Sequence, residues 1–250
     1  MEQLLIQPKF EEVYEEYLRK ESIKNFIERY VGKEGWLNAS SAGNCYRKHK
    51  HKLLGDKAVE PDKKSLFRMR VGDLIHQDIQ QALTNRYHDK LVITEMLVEI
   101  PKLKVRGYLD ILVIDGNKAD LKDIKTAAAF SWKRKFGRKE NRDPNPSDKY
   151  EYQVGTYALG VEASGKGLQV VNMDLVYYKK DDSQFKFVNI NNDYKAKAQS
   201  YWEETLKICE QDVDKLVPGD TYGVPFESWE CNYCLYRNHC PSPFKKDSSR

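Results

Sequence analysis

The sequence predicts an α/β fold, a central mixed sheet flanked by helices, with a helical addition on its N-terminal side and a cysteine-rich addition on its C-terminal side. Three observations predict it. Apolar residues recur at three- and four-residue steps over Phe10–Tyr30 and again over Ser65–Tyr87. Three segments of strand character follow in succession and are then followed by a helix and another strand. Three of the cysteines crowd into Cys231–Cys240. Helix, three strands, helix, strand closes most economically as one mixed sheet with helices on its faces.

Taken in order, Phe10, Val13, Tyr14, Tyr17 and Leu18, then Ile23, Phe26, Ile27 and Tyr30, predict an amphipathic helix with a break at Glu21–Ser22. Asn38–Gly43 offers N-cap residues for a short basic helix carrying Cys45, Arg47, Lys48, His49, Lys50, His51 and Lys52. Asp56–Lys64, with Pro61 inside it, is a loop. The helix over Ser65–Tyr87 sets Gly72 and His76 on one face. Val92–Ile100 and Leu103–Ile114 are strands divided by Pro101–Lys102, and Asp115–Gly116–Asn117 turns into the strand Lys118–Thr126. Ala127–Lys149 is polar and basic, a loop or lid candidate. Asp148 caps a helix through Leu159, Leu168–Tyr178 and Phe185–Ile190 pair as a hairpin, and Asn192–Leu216 is helical. Lys245–Arg250 carries the composition of a disordered tail, and no internal repeat is present.

Composition narrows the function classes. A chain of 250 residues buries a sizeable core without disulfides. The net charge of +4, with 32% charged residues, permits a nucleic-acid partner only through clustering of cations. Met1–Pro8 lacks a basic leader, and no run approaches the roughly 18 apolar residues of a membrane helix. The expectation is a soluble, cytoplasmic protein with no membrane partner. Five cysteines in a reducing compartment read as metal or cluster ligands plus a spare.

Chemistry concentrates on two neighbouring strands, at Gly107–Asp110 and Leu121–Thr126. Residues two apart in a strand share a face, so Asp123 and Lys125 project together while Ile124 points to the core. Asp110 supplies a second carboxylate from the adjacent strand. Two carboxylates suit a divalent metal that activates water, and an adjacent ammonium stabilises phosphate charge. Gly107 leaves room for backbone or substrate. A rival copy of the motif stands at Asp120–Leu121–Lys122, nearer the turn. His76 is a further candidate ligand. Gln153 and Tyr157, four residues apart, share a helix face from which an amide and a phenol can bind a nucleotide or order the lysine.

Cys231, Cys234 and Cys240 offer three thiols, and Cys45 is the fourth; spacing suits zinc, with His239 able to replace one thiol, or a [4Fe–4S] cluster equally. Joining Cys45 to this group would staple the ends of the fold together. Cys209 lies in a helical pattern and reads as an inert buried thiol. Cys45–Lys52 and Trp132–Arg138 mix positive charge with aromatics, the composition that holds phosphates and stacks unpaired bases.

In their order along the chain, Cys45, Gly72 with His76, Gly107 with Asp110, Asp123–Ile124–Lys125, Gln153 with Tyr157, and Cys231, Cys234 and Cys240 resemble the RecB-like branch of the PD-(D/E)XK nucleases. The resemblance is to the iron–sulfur exonucleases that include the CRISPR-associated RecB-like exonuclease family and its phage relatives. It implies a restriction-endonuclease-like core over 64–191, with a helical region 1–63 before it, a cluster region 192–241 after it and a tail 242–250, all in one compact unit. It also implies Mg²⁺ or Mn²⁺ held by His76, Asp110, Asp123 and the Ile124 carbonyl, catalysis by Lys125 and support from Gln153 and Tyr157. The four cysteines would hold a [4Fe–4S] cluster, with zinc as the alternative. The implied activity is DNA cleavage, at single strands or ends, to 5′-phosphate and 3′-hydroxyl products. The alternative is a catalytically weak DNA-end-binding accessory subunit with a protein partner in recombination, repair or CRISPR adaptation.

Overall fold

A computed structural model describes residues 9–30, 34–87 and 91–242; Met1–Pro8 and the expected tail Lys245–Arg250 lie outside the described residues. Among the described residues six strands form one sheet. β1 (Leu37–Asn38) is a two-residue strand, too short to show a period in sequence, and runs parallel to the start of β3 (Val105–Asp115). β2 (Leu91–Ile100) pairs antiparallel along β3, from which a short 3₁₀ turn at Pro101–Leu103 separates it. β4 (Lys118–Ala127) runs antiparallel to β3, β5 (Gln169–Lys179) parallel to β4, and β6 (Phe185–Asn189) antiparallel to β5. A parallel pair needs a crossover, and the chain supplies it with α4 (Ala129–Phe136) and α5 (Lys149–Glu162). The mixed sheet flanked by helices is the fold class the sequence predicts.

α1 (Phe10–Tyr30) runs through Glu21–Ser22 without the expected break, helped by Arg19–Glu15 and Lys20–Glu16 pairs four residues apart. Its core contribution among the described side chains is Leu18; Val13, Tyr17 and Ile23 are exposed. α2 (Tyr46–Leu54) begins after Cys45 and stops at Gly55, whose φ of 75° closes the helix in the left-handed region. α3 (Lys63–Arg86) starts where the Asp62 carboxylate accepts the Ser65 N–H. Asp148 stands at the equivalent position of α5 but does not cap it: its Oδ2 accepts the Tyr194 hydroxyl at 2.9 Å instead.

The basic stretch expected as a loop or lid is in part a docked helix. Trp132 of α4 is 8% exposed and packs on Phe136, which stands edge-on to Tyr177 of β5. The other basic stretch, α2, turns inward. Arg47, His49 and His51 are all buried: Arg47 Nη1 donates to the Leu216 carbonyl at 2.9 Å, His49 Nε2 meets the Tyr201 hydroxyl at 2.9 Å, and His51 Nδ1 meets Asp56 at 2.7 Å. These groups serve packing and so are not free to bind phosphate.

One sheet face, through Leu112, Leu121, Met173 and Leu175, packs on Val154, Ala158 and Val161 of α5, backed by Trp202 of α6 (Asp193–Ile208). The other face, through Ile111, Ile124 and Val176, packs under Ile79 and Leu83 of α3. Each fully buried Leu, Ile, Val or Met among these contributes about 1.5–3 kcal/mol. Between these two layers the sheet opens.

Candidate active site

The site is built at a gap in a hydrogen-bond ladder. β2 covers one edge of β3 along Val105–Ile114. On the other edge β1 takes Val105–Arg106 and β4 takes Ile111–Asp115, so among the described residues Gly107–Asp110 between them faces no strand. Asp110 sits where β4 departs, and its Oδ2 accepts the Ile124 N–H at 2.6 Å. The carboxylate thereby fills the place of the next ladder bond.

The ladder is interrupted at the same level on the β2 side. Glu95, opposite Asp110, has a left-handed backbone with φ 51°, which costs a non-glycine residue about 1–2 kcal/mol. The Asp110 carbonyl accepts instead from Gln80 Nε2 of α3 at 3.0 Å, and the same nitrogen lies 3.0 Å from Glu95 Oε1. Such strain concentrates at functional sites. Gly107 also has a local reason: a Cβ there would come 2.9 Å from Tyr157 Cε1 and 3.1 Å from Ala39 Cβ. The space expected for backbone or substrate is thus taken by the Tyr157 ring.

From β4, Asp123 and Lys125 project together, as strand alternation requires, and Ile124 enters the opposite hydrophobic cluster. Lys125 Nζ lies 2.7 Å from Asp123 Oδ2 and donates to Gln153 Oε1 at 3.0 Å. Gln153 Nε2 in turn donates to Asp123 Oδ1 at 3.2 Å and to the Tyr157 hydroxyl at 3.1 Å. The Tyr150 ring lies 4.6 Å from the same ammonium. His76 Nδ1 is 3.6 Å from Asp110 Oδ1. The residues singled out from sequence therefore meet at one place, joined by three that the sequence reading missed. Gln80 could have been found as the residue one turn beyond His76, and Tyr150 as the one three before Gln153. Glu95 carries no local signal.

Burial drives the Asp123 carboxyl up to about 6; Asp110 adds to this and Lys125 opposes it. At Lys125 burial works against the ammonium, but Asp123 and Asp110 outweigh it and the net direction is up. At His76 burial is likewise overcome by Asp110, and the imidazole is pushed up. The rival copy of the motif is consumed elsewhere: Lys122 Nζ pairs with Asp120 at 2.9 Å and with Asp174 at 2.8 Å, and Asn172 donates to both carboxylates.

Among the described residues no three His, Cys, Asp or Glu side chains converge in a metal-holding arrangement. The donors gathered at this gap, the Asp110 and Asp123 carboxylates with His76 beside them, nevertheless suit a hard divalent cation. Asp123 Oδ2 is a buried oxygen without a hydrogen bond: Lys125 Nζ satisfies the distance of an ion pair but not the direction of a hydrogen bond. The site opens into a cleft of about 740 Å³ between α1, α2 and α3, with His76, Gln80, Asp110, Lys48 and Lys52 on its walls.

Cys45, Cys231, Cys234 and Cys240 line one small cavity. Ser242 Oγ donates to Cys231 Sγ at 3.2 Å and the Tyr236 N–H to Cys234 Sγ at 3.4 Å. Burial pushes the Cys45 and Cys234 thiols up, and neighbouring cysteines add to it. His239 is turned away, its Nε2 3.0 Å from the Lys57 carbonyl, so it does not replace a thiol. Cys209 is buried with Sγ 3.7 Å from the Tyr46 carbonyl and is not part of the cavity wall.

A sequence model of the PD-(D/E)XK nuclease superfamily matches residues 70–241, a span that holds His76, Asp110, Asp123, Lys125, Gln153 and Tyr157. No curated protein matches the chain significantly. Among solved structures, that of SSO0001 superposes with a TM-score of 0.55 at 18% identity, covering 92% of this chain and 96% of the other. An alkaline exonuclease, LHK-Exo from Laribacter hongkongensis, gives 0.50 at 17% identity, over 75% of this chain and 94% of the other. Both are likenesses of fold.

Proposed function

The chain belongs to the PD-(D/E)XK nuclease superfamily, and from that premise we propose that it is a metal-dependent deoxyribonuclease, an exonuclease acting on single-stranded DNA or DNA ends. The observation that carries the proposal is the closed circuit of Asp123, Lys125, Gln153 and Tyr157 beside Asp110. A structural ion pair does not need an amide that fixes both its partners.

Asp110, Asp123, His76 and the Ile124 carbonyl would hold Mg²⁺ or Mn²⁺. When bound, such an ion acidifies water and offsets phosphate charge. Lys125 holds its ammonium against Asp123, within reach of a phosphate oxygen or the attacking water. Gln153 can present only its Oε1 to that ammonium, because its Nε2 is committed to Asp123 and Tyr157. Gln80 holds the Asp110 backbone from the other side. Hydrolysis adds water across the phosphodiester, breaking the bond from phosphorus to O3′ and leaving a 5′-phosphate and a 3′-hydroxyl.

The four-cysteine cavity supports a [4Fe–4S] cluster, with zinc as the alternative, and with it kinship to the iron–sulfur exonucleases. Its role is to join the start of α2 to the C-terminal segment. Protein purified without oxygen is expected to be brown and to contain iron and sulfide; a colourless protein with stoichiometric zinc would overturn the cluster.

Incubation with end-labelled linear and circular DNA, single- and double-stranded, in Mn²⁺, Mg²⁺ or EDTA tests the activity. Linear DNA should be degraded with metal and survive in EDTA, circular single strands should resist, and Asp123→Ala and Lys125→Ala should each lose about 10²–10³-fold or more. Cleavage by these variants at the wild-type rate would end the proposal.

A further inference from the structure

We propose that a second groove, on the opposite face of α3 from the cleft, is a track for one unpaired DNA strand at the active site. The inference rests on the nuclease reading and adds to it where the strand runs and what holds it. Along α3, Leu66, Met69, Arg70, Asp73, His76 and Gln80 face the cleft, whereas Lys64, Phe67, Arg68 and Val71 face this groove of about 1010 Å³. The groove's floor is Thr126 and Ala127, which follow Lys125 on β4, and Ala128, which leads into α4. Ala127 shares the face of β4 that carries Lys125, two residues or about 7 Å along the strand, while Thr126 points to the face under α3, so the groove floor begins about one nucleotide's length from Lys125 and its small residues let a backbone lie close.

Charge fits such an occupant. Four cations, Lys63, Lys64, Arg68 and Lys180, face two carboxylates, Glu11 and Asp181. Lys63 and Glu11 neutralise each other at 2.9 Å. Among the described residues no carboxylate pairs with Lys64, Arg68 or Lys180, whereas Lys122, Lys135, Lys149, Lys179 and Lys195 each have one. With Asp181 counted against them, these three unpaired cations leave the groove a net charge of +2, which favours phosphates.

Phe130 supplies the second half of the recognition. It lies in the first turn of α4, lines the groove and is 75% exposed. One exposed aromatic is ordinary, but this one has a rigid mount: Trp132 and Phe136 of the same helix are packed against the sheet. An exposed phenyl ring carried on a packed helix beside unpaired cations is the arrangement that stacks a base while the backbone is held. Stacking needs an open base face, which paired bases inside a duplex do not offer, and this selects a single strand.

The test is fluorescence anisotropy of a labelled oligothymidylate with the full chain in EDTA, so that binding is read without cleavage, alongside a duplex of the same length. Phe130→Ala should weaken oligothymidylate binding about fivefold or more and leave duplex binding unchanged, with Phe130→Tyr restoring it. Arg68→Ala and Lys180→Ala should each flatten the slope of log affinity against log salt by about 0.7. Wild-type affinity and slope in all these variants, or no binding by the wild type, would overturn the track. Equal weakening of duplex binding by Phe130→Ala would overturn the single-strand assignment. Hydrolysis of bis(p-nitrophenyl) phosphate with Mn²⁺, measured in parallel, should be the same in wild type and groove variants. Its absence from the wild type would count against the nuclease reading, and the binding result would still decide the groove.

Discussion

Gln153 fixes both members of the acid–lysine pair at once, accepting from Lys125 and donating to Asp123 and Tyr157. Truncating it leaves the carboxylate and ammonium in place but frees the ammonium to rotate. Gln153→Ala is therefore expected to lower kcat about ten- to hundredfold, as loss of a supporting residue does, with KM little changed. A rise in KM at constant kcat would show that the amide binds substrate instead. At Gln80 the loss is different in kind. Gln80→Leu strands the Asp110 carbonyl, which has no ladder partner, and should cost about 1–3 kcal/mol in a denaturant titration. If stability were unchanged, the carbonyl would have found another donor. Asp123, Lys125, Gln153 and Tyr157 were legible in the sequence because strand alternation and one helical turn fix which side chains share a face. Gln80's bond to Asp110 was not, since it joins residues 30 apart.

At the scale of elements, α5 is the member that cannot move. Gly155 lies against the backbone of α6 at Tyr194 and Gly160 against Val98 of β2, and a methyl group at either position would collide. The Tyr194 carbonyl belongs to a helix and cannot yield as a flexible side chain would. Gly155→Ala should thus lose about 1–3 kcal/mol and lower the melting temperature by a few degrees per kcal/mol, read by calorimetry. The close seat of α5 is what delivers Gln153 and Tyr157 to β4. The periodicity of α5 was visible in sequence; the reason for its glycines was not. α2 and α4 divide the expectation drawn from their charge: α2 buries Arg47, His49 and His51 but turns Lys48 and Lys52 to the cleft, and α4 packs as a helix through Trp132 while Lys133 and Arg134 stay exposed. Composition counts charges without saying which way they face.

For the whole molecule, His49 ties stability to pH. It is buried between α2 and α6 with the Tyr201 hydroxyl 2.9 Å from Nε2, and burial, assisted by Lys48, holds its pKa down at about 3. The unfolded chain takes up this proton near pH 6.5, and the folded chain does so only near 3. The contribution is complete above the unfolded value and is lost as pH falls from about 6.5 toward 3, at up to about 1.4 kcal/mol per pH unit. Melting temperatures across that window should fall less steeply in His49→Gln than in the wild type. Parallel curves would mean that carboxylates alone set the acid limit.

The sequence by itself determined the mixed α/β class, the succession of strands and helices, and the order of acids, lysine, amide, phenol and cysteines. Each of these is a property of contiguous chain, written in periods of two and 3.6 residues or in short spacings. Tertiary structure decided the rest. That β4 leaves β3 at Ile111, exposing Gly107–Asp110 between β1 and β4, depends on three separate segments meeting on one edge. The strained backbone of Glu95, the bond from Gln80 that replaces a ladder partner, the gathering of Cys45 with the C-terminal cysteines and the groove beneath Phe130 have the same origin. Hydrogen bonds and charges between distant residues are settled only when packing brings them together, and no local period records that.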